Sequence, residues 1–181
     1  NMAITRLGGA NAISGTIPQG NIANASLGAV TALPAAISTG KILQVVNATK
    51  TDTLATTSSS FTDITGLSAS ITPSSTSNKI FVSLTLYVGD DTQTANVICN
   101  IVRDSTQLQE TVARLPQENQ SVYRMYNLSM TDYDSPSSTS SLTYKSQIKT
   151  NAGTAVVNKA ANQGGFSNTA TATLTLMEIE G

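Results

Sequence analysis

The sequence predicts an all-β protein: an antiparallel, jelly-roll-like β-sandwich head behind an extended, irregular N-terminal segment. Three observations lead there. Only 12% of the 181 residues are charged, against about 25% in ordinary soluble domains. In their place, 27 Thr and 22 Ser make the polar surface out of hydroxyls, which suits pleated sheets and poorly suits surface helices that rely on Glu, Lys, Arg and Ala. From Lys41 onward, short runs of alternating apolar and polar residues are separated by clusters of Gly, Asn, Asp, Ser and Pro, the pattern of half-buried strands joined by turns. The stretch before Lys41 has neither pattern.

A chain of this length accommodates one sandwich with an appendage, divided here as residues 1–40 and residues 41–181. The first 40 residues are Gly-rich, contain Pro18 and Pro34, have no aromatic residue and carry one charge, Arg6. Their apolar residues (Ile4, Leu7, Ile13, Ile17, Ile22 and onward) recur without a period of 3.6 or 2.0. Such composition fits a disordered linker. It also fits an extended anchor or stalk that packs against identical copies or a neighbouring protein.

The strands of the head follow in order. Ile42 to Val46 opens it, and a Thr-rich stretch follows over Ala48 to Thr57. Phe61 to Ile64 and Leu67 to Thr72 alternate, and Pro73 stops the second run. Asn78 to Val88 places Ile80, Val82, Leu84, Leu86 and Val88 on one face and Phe81 and Tyr87 on the other, since successive side chains in a strand point to opposite sides. After the turn at Gly89-Asp90-Asp91, Ala95 to Arg103 directs Val97, Cys99 and Ile101 inward. Arg103 to Thr106 predicts a tight hairpin into Gln107 to Ala113. Val122 to Tyr133 is apolar on both faces and predicts a strand covered on two sides. Ser141 to Thr150 directs Leu142, Tyr144, Ser146 and Ile148 inward and Thr143, Lys145, Gln147 and Lys149 outward. A turn at Asn151-Ala152-Gly153 leads to Ala155 to Asn158. A loop over Ala161 to Thr169 follows, and Ala170 to Ile179 closes the chain with Ala172, Leu174, Leu176 and either Met177 or Ile179 inward. Nine or ten strands in two packed sheets suit a jelly roll.

Composition excludes several functions. There is no histidine, so Ser-His-Asp and Cys-His nucleophile activation are unavailable and the commonest metal ligand is missing. Carboxylate pairs of the glycosidase kind are poor candidates: Asp90-Asp91 fall in a turn, Asp132 and Asp134 end a strand, and Glu178 and Glu180 read as solvated charge near the C-terminus. No enzyme activity and no cofactor are expected. Asp132-Tyr133-Asp134 with Ser135 could offer oxygens to Ca²⁺ but lacks the Gly and terminal Glu of a binding loop, so it reads as a turn and no metal is assigned. A net charge of −1 without a Lys/Arg run gives no footprint for nucleic acid or an anionic membrane. No apolar stretch approaches the roughly 20 residues of a membrane span, and no charged-then-apolar leader opens the chain. The lone Cys99 sits among apolar neighbours and reads as a small buried hydrophobe. Four sequons, at Asn24, Asn47, Asn119 and Asn127, are what an Asn- and Thr-rich chain produces by chance.

Several blocks resemble a known family. Ile17-Pro18-Gln19-Gly20-Asn21-Ile22-Ala23-Asn24-Ala25-Ser26-Leu27, Leu33-Pro34-Ala35-Ala36-Ile37 and Gly40-Lys41-Ile42-Leu43-Gln44-Val45-Val46 resemble fibre-type (tail fibre or appendage) proteins of marine tailed phages, especially those of cyanobacteria. Phe61-Thr62-Asp63-Ile64, Ser77-Asn78-Lys79-Ile80, Arg103-Asp104-Ser105, Asp134-Ser135-Pro136 and Leu176-Met177-Glu178-Ile179 are similar to blocks of that family's C-terminal head. The resemblance implies a virion component made in the host cytoplasm. It further implies a homotrimer attached through its N-terminal segment to another virion structural protein, with a β-rich head displayed for host recognition. It assigns no receptor-contact residue. A trimeric sandwich of the tumour-necrosis-factor type would make Phe81, Ile98 and Tyr123 candidates for the subunit interface. Its distal loops would then expose Asp90, Asp91, Gln117, Asn119, Asn162 and Gln163 to a receptor such as a host cell-surface glycan. The alternatives are a capsid decoration or neck fibre with an architectural role, and a carbohydrate-binding module.

Overall fold

In a computed structural model of the chain, the described residues are 41–92, 95–114, 125–160 and 169–181. They form ten strands: β1 Ile42–Lys50, β2 Leu54–Thr56, β3 Thr62–Ile71, β4 Lys79–Asp90, β5 Asn96–Arg103, β6 Thr106–Arg114, β7 Tyr126–Asp134, β8 Leu142–Thr150, β9 Ala155–Val157 and β10 Ala172–Ile179. Alternation explains them. Along β4 every second residue from Ile80 to Val88 is fully buried while Phe81, Ser83, Thr85 and Tyr87 are half-exposed, so one strand face supplies core and the other surface.

Every strand pair is antiparallel. β1 pairs with β10, β3 with β8, β4 with β7 and β5 with β6, which is one long ribbon closed by the β5–β6 hairpin. The ribbon is rolled so that β10 also pairs with β4, and β8 also pairs with β5. The result is one sheet whose main strands run β1-β10-β4-β7 and a second that runs β3-β8-β5-β6. With the short β2 and β9 set aside, this is the jelly-roll order expected from the sequence. β9 continues the lane of β10 along β4, since Val88 has Tyr126 on one side and Val157 on the other.

Between the sheets lies one core, in which Leu67, Leu84, Leu86, Ile101, Tyr144, Ile148, Leu174 and Leu176 are fully buried. Each such aliphatic side chain contributes about 1.5–3 kcal/mol by leaving water. Cys99 is in this core, and burial pushes its thiol up to about 12, so it remains the inert hydrophobe its neighbours suggested.

Four details depart from the expected pattern. The runs Phe61–Ile64 and Leu67–Thr72 are one strand, β3, whose register shifts between Asp63 and Ser68. Gly66, at φ +85°, lies within that irregularity, a conformation glycine adopts without the clash a Cβ brings. β7 is covered on one side only among the described residues, because Tyr133 is 56% exposed. Met177 and Ile179 face outward, and the inward position between them belongs to Glu178, which is 1% exposed. Glu178 is therefore a buried charge where a solvated one was expected.

Candidate functional site

The two ends of the sandwich differ in what they carry. At one end lie Lys41, Gly181 and the short connections: residues 72–78, the Asp104-Ser105 turn and residues 135–141. Glu178 closes this end. Its carboxylate accepts hydrogen bonds from Asn78 Nδ2 (2.6 Å), Gln44 Nε2 (2.6 Å), Ser74 N (2.7 Å) and Ser74 Oγ (2.8 Å). Burial alone would raise its pKa, but these donors outweigh that and hold it at about 2. Beside it, Asp134 of β7 accepts from Arg103 Nη1 (2.6 Å) and from the Tyr144 hydroxyl (2.6 Å), tying the first sheet to the second. Burial, joined by the Asp134 carboxylate, raises the Tyr144 pKa.

The opposite end gathers the strand ends that bracket the three stretches holding Asp90-Asp91, Gln117 to Asn119 and Asn162-Gln163. Val88 pairs with Tyr126, Asn96 with Arg114, Val97 with Thr150, and Lys50 with Ala172. The connections between β4 and β5, β6 and β7, and β9 and β10 therefore all leave from there. Asp91 is exposed at this end, whereas Asp90 is 3% exposed and corrects its assignment as a receptor-facing residue. Asp90 accepts from Thr92 N (2.8 Å) and Thr150 Oγ1 (3.0 Å). Gly153, at φ +68°, leaves no room for a Cβ against Asp90, Asp91 and Thr92. Gln117, Asn119, Asn162 and Gln163 lie outside the described residues, as does Tyr123.

The outer faces differ as well. On the first sheet, register aligns Val45, Met177, Phe81 and Tyr133 into one apolar row across β1, β10, β4 and β7. Ile42, paired with Ile179, extends it; Ile42 is 57% and Val45 56% exposed. The next row, Asn47-Thr175-Ser83-Thr131, carries only neutral polar groups. Phe81 thus sits at the centre of an apolar stripe. Ile98 is on the other outer face, paired with the exposed Val112, so the fold does not bring Phe81 and Ile98 into one patch.

The second outer face has a polar row in register: Asp63, Gln147, Asn100 and Glu110, one from each strand. Hydrogen bonds run outward from its centre. Asn100 Nδ2 donates to Gln147 Oε1 (3.3 Å) and Gln107 Oε1 (3.1 Å). Gln147 Nε2 then donates to Asp63 Oδ1 (2.7 Å), and Gln107 Nε2 to Glu110 Oε2 (3.3 Å). Lys145 pairs with Asp63 at 2.9 Å. A depression of about 360 Å³ opens here, lined by Asn100, Val102, Gln107, Gln147 and Lys145. The Asp104-Ser105 turn and the Phe61 ring bound it, and Lys149 Nζ stands 4.0 Å from that ring's centroid. Sequence alternation marked Lys145 and Gln147 as outward; it could not bring Phe61, Asn100 and Gln107 to them, because that depends on cross-strand register.

Among the described residues there is no group of three or more Cys, Asp or Glu placed to hold a metal ion. No helix there is long and apolar enough to cross a membrane.

No protein-family model matches the chain, and no curated protein matches its sequence. Solved structures are similar at low identity. One of the infectious bursal disease virus Gx strain is 14% identical with a TM-score of 0.41, covering 75% of this chain and 38% of that one. The VP2 subviral particle of the same virus is 14% identical with a TM-score of 0.39, covering 75% of this chain and 39% of that one. The chain spans well under half the length of these structures.

Proposed function

We propose that this chain is a structural subunit of a virion: a homotrimeric fibre or appendage component of a tailed phage, architectural and recognitive rather than catalytic. Residues 1–40 would hold it to another structural protein of the particle. The observation that carries the reading is the polarity of the sandwich. Lys41 enters at the end closed by Glu178 and Asp134, and the three connections expected to meet a receptor leave from the opposite end. An attached subunit that displays recognition loops needs that arrangement.

The exposed apolar residues support assembly. A stripe on one outer face and the Ile98-Val112 pair on the other give each copy two different surfaces. A threefold ring is built from heterologous contacts, in which a surface of one copy meets a different surface of the next. Analytical ultracentrifugation of Phe81→Asp and Ile98→Asp tests this. Each variant is expected to sediment as a folded monomer, and a stable oligomer in both overturns the trimer.

Electron microscopy of particles labelled with an antibody against residues 41–181, with adsorption assayed alongside, tests the place on the virion. Label at the tail tip with blocked adsorption is expected. Label on the capsid or neck with adsorption intact would make the chain a decoration or neck fibre instead, and absence of label would overturn the virion reading.

A further inference from the structure

We infer that the depression on the outer face of the β3-β8-β5-β6 sheet is a binding site for a neutral hexopyranose unit, with Phe61 as the wall against the sugar's C–H face and the Gln107-Asn100-Gln147 amides as the polar floor. The inference does not depend on where the chain sits in a particle.

Preorganisation is the first support. Asp63 and Glu110, at the two ends of the row, accept the glutamine amide protons and so fix which way Gln147 and Gln107 point. Both glutamine oxygens are then taken by Asn100 Nδ2. Asn100 is 1% exposed, and its Oδ1 is buried with no hydrogen-bond partner among the described residues. A buried carbonyl oxygen left without a donor costs about 1–3 kcal/mol, and Asn100, which carries it, lines the depression.

The chemical class follows from the lining. Asp63 is neutralised by Lys145, and Asp104 at the rim has no cation bonded to it among the described residues, so nothing in the cup selects an anion. Amides, a hydroxyl from Ser105 and one aromatic ring suit a ligand with alternating hydroxyls and a C–H face, which a pyranose presents. Lys149 over the Phe61 ring holds it in place. The volume of about 360 Å³ is within the range of about 300–1,000 Å³ typical of small-molecule sites.

Saturation-transfer NMR on the full chain with methyl β-D-glucopyranoside and methyl β-D-galactopyranoside tests the assignment, with dissociation constants expected on the order of 1 mM. Transfer to ring protons of at least one glycoside is expected. It should fall by about fivefold in Phe61→Ala, the size of one aromatic contact, and in Gln107→Ala, an exposed position outside the core. Thr131→Ala, an exposed position on the outer face of the other sheet, should keep it. Absence of transfer from both glycosides, or equal transfer in wild type, Phe61→Ala and Gln107→Ala, overturns the site. Transfer confined to glucuronate overturns the neutral class.

Discussion

Two buried carboxylates at opposite ends of the sandwich are pushed in opposite directions. Glu178, at the end where Lys41 and Gly181 lie, is held at about 2 although it is 1% exposed. Asp90, at the end with the long connections, is 3% exposed, and burial raises it. The donors explain the difference. Glu178 receives four hydrogen bonds, three of them from side chains, and the Gln44 and Asn78 amides each have two protons to give. Asp90 receives one backbone amide and one hydroxyl, and the Thr150 hydroxyl is also 2.6 Å from the Ala152 carbonyl. A hydroxyl has one proton to donate, so Asp90 does not hold it alone, and Asp91 next to it adds repulsion. Burial by itself does not decide the charge of a carboxyl; the count of donors does.

The largest expected effect is at the closed end. Asp134→Ala leaves the Arg103 guanidinium and the Tyr144 hydroxyl without their partner and should cost about 3 kcal/mol, read as a lower urea midpoint at unchanged slope. A loss below about 1 kcal/mol would mean the two sheets are not joined through this carboxylate.

Acid sharpens the comparison itself. The folded pKa of Glu178 is depressed, so its contribution is fully present above the ordinary value of 4.5 and is lost as pH falls toward about 2. That interval should remove on the order of 3 kcal/mol from the wild type, while Glu178→Gln is already destabilised and shows a flatter profile. Parallel profiles for the two proteins would break the assignment. Asp90 has the opposite sign: its neutral form is favoured, so its contribution is present below the ordinary value of 3.8 and is lost as pH rises through the raised folded value. Asp90→Asn, which keeps the neutral shape, should therefore change stability at pH 7 by less than about 1 kcal/mol. Urea unfolding of this variant at pH 4 and pH 7 checks both statements.

The smallest expected effect is at the neighbouring acid. Among the described residues, the Glu180 carboxylate pairs only with Lys41, at 3.9 Å, with both side chains about half exposed. Removal of such a pair costs under about 0.5 kcal/mol, so Glu180→Ala should unfold with the wild type in the same urea titration that separates Glu178→Gln.

Glu178 and Glu180 also mark where sequence reading stops. Both look like terminal surface charge, and the residue that alternation placed inward was Met177 or Ile179. Strand parity at the end of β10 is set by Leu174 and Leu176, and by that parity Glu178 faces in; only the arrival of Gln44, Ser74 and Asn78 from elsewhere in the chain makes a charge there tolerable. Asp90 and Asp91 repeat the lesson, since Asp90 ends β4 with the inward parity of Val88 and is buried, while Asp91 lies beyond the strand and is exposed.

Local chemistry carried the rest. Hydroxyl-rich alternation determined that the chain is all-β, which residues of β4, β5 and β8 form the core, and where the Arg103–Thr106 hairpin turns, because a strand's period of two and the conformational needs of a turn act over a few residues. Tertiary structure alone decided the pairing of β1 with β10 and of β3 with β8, and with it the apolar stripe through Phe81, the amide row through Asn100 and the opposite fates of Glu178 and Asp90. Those features join residues that are tens of positions apart in sequence, and register between distant strands is fixed by how both sheets close over one shared core.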